Sequence, residues 1–322
     1  MQTPARRKRT VMLALLIAIT LTVCIMHRER ILHFFHNCEK VVINDPALEK
    51  ALREKHFGSR RITVCSLEEI TELHMWNCGI TDLSGLEYCT NLEYLDLRNN
   101  NITDVSPLSG LTNLRYISLS GNPVADITLL CGLDSLEYLP LDSTAVTDLT
   151  QLTGFKGVRL VSLSGNGITD ISGIEGIPHI THLDLSTNNI TDISPLSCMT
   201  NLVYLDLSYN DVTDISPLSK LTQLSNLDIT LNEVTDISPL VYLKDLTVLD
   251  MSYVHAADYS PLASLSKMGN LDLIGCGITD ISFASNMNDL FRLDISKNPV
   301  SDVSPVAHLS ELDLIRDDQS SK

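Results

Sequence analysis

A chain of 322 residues that is 44% hydrophobic holds enough apolar material for a large core and is excluded from the disordered class. Its net charge is −17, but from Ile62 onward 11 basic residues face 35 acidic ones, a charge of −24 on the body of the chain. Such a surface repels phosphate backbones, so nucleic acid is not expected as a partner; a protein or peptide, in particular a basic one, or a cation is.

Residues 1–10 contain the basic cluster Arg6, Arg7, Lys8 and Arg9, and an apolar run follows from Val11 to Met26. No Ala-x-Ala cleavage site closes the run. "LTVC" at Leu21–Cys24 lacks the small residue that a lipoprotein box places before its cysteine. Sixteen residues make a helix of roughly 24 Å, short of the hydrocarbon core but workable with snorkelling arginines. The expectation is a signal anchor over 11–26 in the cell membrane, with a cytoplasmic tail at 1–10 and the rest outside the cytoplasm, at a bacterial surface. Residues 27–40 read as a linker.

"DPALEKALREK" then signals a helix: Asp45 can cap it, Pro46 suits its first turn, and Leu48, Ala51 and Leu52 recur at helical spacing. Residues 41–69 are read as a helical cap. Over 70–311 the chain repeats with a period of 22 residues. The leading aliphatics run Ile70, Leu92, Leu114, Leu136, Val158 and Ile180, then Leu202, Leu224, Leu246, Met268 and Leu290, and Leu312 opens an unfinished twelfth unit before the polar tail of 312–322. Each unit reads L-x-x-L-x-L-x-x-N-x-I-T-D-I-S-P-L-x-x-L-x-x. The alternation "YLDLS" is a half-buried strand, and stacked units bury leucines that one unit alone cannot. The recurrent Asn, as at Asn210, is expected to bond backbone groups of the next coil. In "TDISPL" the Asp favours a turn, the Ser can cap, and Pro opens a short 3₁₀ helix. The fold class is α/β: a leucine-rich repeat solenoid with a curved parallel β-sheet on the concave face, 3₁₀ turns on the convex face and a small helical N-terminal cap.

These repeats and the cap that precedes them resemble the 22-residue leucine-rich repeat class, and within it the bacterial internalins. A eukaryotic phosphatase regulatory subunit shares the repeat class. The resemblance implies a surface protein that recognises other proteins, in adhesion or recognition, without catalysis or cofactor. No Walker loop, H-E-x-x-H or G-x-S-x-G accompanies the repeats. Unlike the internalins, the repeats run into "LDLIRDDQSSK" with no immunoglobulin-like module behind them, and the core edge there is expected to be poorly covered.

Strand alternation assigns the candidate partner-binding residues. The outward slot before each strand leucine holds Tyr94, Tyr116, Tyr138 and Tyr204, with Trp76 and Tyr209 nearby; rigid aromatics of this kind are typical contact anchors. The outward slot after it holds six consecutive aspartates, Asp184, Asp206, Asp228, Asp250, Asp272 and Asp294. At a strand spacing of about 4.8 Å, neighbouring charges repel by roughly 0.9 kcal/mol even in water. Alternative readings are a cation- or glycan-binding surface module using this aspartate column, and an intracellular regulatory subunit like the phosphatase regulator. No cluster of residues is assigned as a metal site. The eight cysteines are scattered through the repeat and read as mostly buried small apolar residues. Unit nine puts Val254 in the amide slot and Ala256 where a large aliphatic belongs, which predicts a locally loosened coil.

Overall fold

The computed structural model describes residues 39–317. The expected anchor over 11–26, and with it Cys24 and Cys38, lies outside the described residues; among these, no helix is long and apolar enough to cross a membrane.

The cap is organised by one carboxylate. Asp45 accepts the Ala47 and Leu48 amides on Oδ1, at 2.7 and 3.0 Å, and so starts helix α1 (Pro46–Leu52). Its Oδ2 accepts the Thr81 amide and hydroxyl and the Asp82 amide at 2.7–2.9 Å, which staples the cap to the first coil. Burial would raise the pKa of Asp45, but the donors from Thr81, Asp82 and Leu48 prevail and hold it well below the usual carboxylate range. A π-helical turn (Arg53–Phe57) and helix α2 (Val64–Glu68), begun by a Thr63–Ser66 capping box, complete the cover over the amino-terminal end of the core.

Beyond the cap, twelve three-residue strands, from β1 (Glu72–His74) to β12 (Asp313–Ile315), pair in parallel in simple chain order. Register advances by 22 residues, as in Leu205↔Leu227 and Leu227↔Leu249. The last step differs. Leu293 pairs with Leu314, so one residue is lost on entering β12 and the twelfth unit does not keep the period. In each of the first eight coils the seven repeat positions bury an apolar side chain; in the seventh these are Leu202, Leu205, Leu207, Val212, Ile215, Leu218 and Leu221, all at most 1% exposed. In the final coil Val303, Leu309, Leu312 and Leu314 are only partly buried, as expected of an edge with no further coil against it.

The turn chemistry corrects two expectations. The slot asparagine reaches back, not forward: Asn210 donates to the carbonyls of Leu185 and its own Leu207, at 2.9 and 3.0 Å, and accepts the Ile190 amide at 3.0 Å. The strand already pairs each coil to the following one, so the groups left to satisfy inside the turn belong to the coil before. In "TDISPL" the Asp does the capping. Asp214 accepts the Ser216 amide at 2.8 Å and its hydroxyl at 3.0 Å, which starts the 3₁₀ helix Ser216–Lys220.

Unit nine adds a bond that the other coils lack. Its Tyr259 stands where other coils have Ile, and its hydroxyl accepts the Ala256 amide at 3.2 Å and reaches the Val254 and Cys276 carbonyls at 2.9 and 2.8 Å. In other coils the equivalent amide bonds the asparagine of the following coil, a slot held here by Cys276, so the phenol stands in for that side chain, and its ring packs against the core. The cysteines also depart from expectation. Of the six described, Cys89 and Cys276 are buried, Cys65, Cys78 and Cys131 are half-buried, and Cys198 is exposed.

Candidate functional site

Leucines that flank the outward slots point inward, so residues two apart in a strand share the outer side of the sheet. In the amino-terminal coils this side is aromatic. Tyr94, Tyr116 and Tyr138 pair in register. The first two rings stack at 4.3 Å between centroids with planes 7° apart, and the third follows at 6.4 Å, tilted by 36°. His74 extends the row on the other side, 4.8 Å from Tyr94. Tyr138 is 43% exposed, and Trp76, farther along the same side, 55%. Burial, then the neighbouring Tyr116, raises the pKa of Tyr94.

Beside the stack lies an ion pair that strand alternation alone did not single out. Arg98 donates through Nε and Nη2 to the two oxygens of Asp96, at 2.9 and 2.7 Å. Asp96 is buried, while the arginine side chain is half exposed. A buried carboxylate held by a planar fork is rigid, so the guanidinium is a fixed positive feature beside the tyrosines. Arg98 sits two residues after Asp96, the spacing that puts it on the same side, and so was readable in the sequence. At the strand entry of these coils Glu93, Arg115, Glu137 and Arg159 alternate in sign, with Arg115 and Glu137 paired at 2.8 Å.

In the carboxyl-terminal coils the same side is acidic. Asp184, Asp206, Asp228, Asp250, Asp272 and Asp294 pair consecutively across the strands. Most are anchored locally: Asp206 and Asp228 accept the amides of Ser208 and Thr230, at 2.9 and 2.8 Å, and Asp184, Asp250 and Asp294 do the same two residues on. Arg292 approaches Asp272 and Asp294 at 3.5 and 3.7 Å. Among the described residues Asp184, Asp206, Asp228 and Asp250 have no such partner. Burial, followed among the raising influences by neighbouring carboxylates, pushes the pKa of Asp206 up and that of Asp228 to about 6. Beside Asp184 and Asp206, in the same two strands, Tyr204 stacks on His182 at 6.0 Å. Among the described residues, no group of three or more His, Cys, Asp or Glu is placed to hold a metal ion.

The structure therefore brings Trp76, the four tyrosines and the six aspartates to one side of the sheet. Tyr209 lies elsewhere: it follows the strand and takes φ 55° at the corner of the coil. Leu231 and Tyr253 occupy the next two corners, each 22 residues after the one before.

A family model for leucine-rich repeats matches residues 68–110, 156–198 and 200–240. The crystal structure of the internalin InlF from Listeria monocytogenes superposes with a TM-score of 0.70 at 29% identity, covering 86% of this chain and 96% of that one. The chain has an internalin-like leucine-rich repeat fold. A leucine-rich repeat protein of Leptospira interrogans shares the fold at 20% identity, with a TM-score of 0.64 over 77% of this chain and 73% of its own. InlJ of Listeria monocytogenes does so at 24% identity, with a TM-score of 0.52 over 83% of this chain and 67% of that one. No curated protein sequence matches this internalin-like chain. Its fold suggests a role in protein–protein interaction.

Proposed function

We propose that this protein is a membrane-anchored recognition module whose solenoid, outside the cytoplasm, binds a partner protein or peptide on the sheet side. The observation that carries this reading is the in-register stack of Tyr94, Tyr116 and Tyr138. The rings already contact one another and stand on a sheet whose positions are fixed by the buried leucines, so a partner that covers them meets a rigid apolar surface and little conformational entropy is lost. Arg98 beside the stack and the aspartates farther along the sheet present fixed charge, which selects among partners more than it adds affinity. The apolar run from Val11 to Met26 behind a basic cluster supports the anchor and its orientation. The acidic body favours basic protein surfaces and opposes phosphate backbones.

The test is photo-crosslinking of the tagged full chain on living cells, with the crosslinker at Tyr138, followed by capture with a Tyr116→Ala/Tyr138→Ala variant. A partner crosslinked at Tyr138 and lost from the variant, which keeps the native melting temperature, is the expected result. Undiminished capture by the folded variant refutes the reading. Protease accessibility of the tag in intact cells separately tests the topology.

A further inference from the structure

Directly after each strand the coil turns through one residue at positive φ. Eight of these corners carry Gly, Asn, Ser, Thr or Lys, but the three adjacent ones are Tyr209, Leu231 and Tyr253, at φ 55°, 53° and 62°. Bulky side chains rarely adopt this conformation, because Cβ crowds the backbone. Nothing in the coil requires them there. Each continues the ladder through its amide, to the carbonyls of Thr230, Ser252 and Ile274 at 2.7–3.0 Å, a bond that glycine supplies equally well. Nor do they fill the core, since they are 57%, 39% and 36% exposed. Three strained, exposed apolar residues in consecutive coils form a ridge whose strain the fold does not use, the pattern expected where a surface makes contacts.

The ends and flanks of the ridge define what it takes. The Tyr253 ring lies over Gly275, close enough that a Cβ there would come within 2.9 Å of it, and the Tyr253 hydroxyl accepts a bond from Lys297 Nζ at 2.7 Å. The far end of the ridge is thereby held in place. On the strand side the same coils carry Asp206, Asp228 and Asp250; on the other side Asp211 and Glu233 are exposed. Apolar side chains walled on both sides by carboxylates fit a segment that is apolar along one line and cationic beside it.

We propose that Tyr209, Leu231 and Tyr253 are a second docking surface, for a cationic amphipathic segment of a partner protein. Its Leu, Ile or aromatic side chains rest on the ridge and its Lys or Arg side chains meet the flanking carboxylates. The proposal does not rest on the tyrosine stack of coils two to four, which is tested by other variants.

The probes are two short fluorescent peptides in which Leu alternates with Lys or with Glu, titrated with the full chain and followed by anisotropy. The Leu–Lys peptide should bind and the Leu–Glu peptide should not. In a Tyr209→Asn/Leu231→Asn/Tyr253→Asn variant the affinity for the Leu–Lys peptide should fall about ten-fold or more, with the melting temperature unchanged or raised, because asparagine tolerates this conformation. A Tyr94→Ala/Tyr116→Ala/Tyr138→Ala variant should bind the peptide as the native chain does. Equal affinity of the ridge variant, binding of the Leu–Glu peptide, or loss of binding only in the stack variant would each overturn the proposal. So would self-association of the native chain, seen by sedimentation and abolished in the ridge variant, since a second copy would then be the occupant.

Discussion

Coils two to four and coils six to eleven share one backbone plan, one register and the same buried columns, yet their outer sides are chemically opposite. The first presents stacked tyrosines beside a pinned arginine; the second presents consecutive carboxylates, four of them without a basic partner among the described residues. A repeat this regular fixes the interior and leaves the outward slots unconstrained. Difference between coils is therefore where information about partners resides, and sameness is where stability resides.

The contrast can be broken most severely from the inside. Asn210→Ala should cost on the order of 2–3 kcal/mol, because the Ile190 amide loses its acceptor in a buried turn and the Leu185 and Leu207 carbonyls each lose one of two donors, keeping those from Asn188 and Asn232. Urea unfolding measures it, and a cost near that of an exposed substitution would show that water replaces the amide. The odd coil sharpens the same point. Tyr259→Phe should cost about 1–3 kcal/mol, since the hydroxyl serves the Ala256 amide and the Val254 carbonyl and shares the Cys276 carbonyl with His255. In a Cys276→Asn/Tyr259→Phe background an asparagine oxygen can accept the Ala256 amide as in the ordinary ladder and should recover much of that loss, as differential scanning calorimetry can record.

On the acidic half the expected effect is smaller and depends on pH. Asp228 has a folded pKa of about 6, above its value of about 3.9 in an unfolded chain. The folded state therefore holds the extra proton between these values, and this group's contribution to stability, complete below pH ~4, is lost as pH rises through ~6. The pKa of Asp206 is raised in the same sense. Asp45 acts oppositely, but its contribution is lost only under strong acid, so the two windows do not overlap. Asp228→Asn keeps the bond from Thr230 and should raise stability at pH 7 by on the order of 1 kcal/mol after allowance for water screening, while flattening the profile between pH 4 and 6. An unaltered profile would mean that the column is discharged by other means.

The parts of this molecule that repeat were legible in the sequence. Leucine alternation gave the strands, the 22-residue step gave their parallel order, and Asp45–Pro46 gave the start of the cap helix. What escaped depends on three-dimensional context. The back-reaching direction of Asn210 follows only once the strand bonds to the next coil are counted. The bond from the Ala256 amide to Tyr259 escaped because a pattern of letters does not show where a phenol reaches. The slip at Leu314 hides behind Leu312, which keeps the 22-residue step while the strand after it does not. For the candidate site, alternation placed the tyrosines and aspartates on one side; it could not show that Arg98 is locked to Asp96, or that Tyr209 leaves that side for a strained corner.

The central claim is that the sheet side, and not the 3₁₀ side, contacts the partner. The direct measurement is the affinity of the crosslinked partner, by surface plasmon resonance, for the native chain, for Tyr94→Ala/Tyr116→Ala/Tyr138→Ala, and for Tyr242→Ala, which removes a 60% exposed tyrosine at the end of a 3₁₀ turn. The account predicts a loss of about ten-fold or more for the first variant and none for the second. Loss confined to Tyr242→Ala would contradict it.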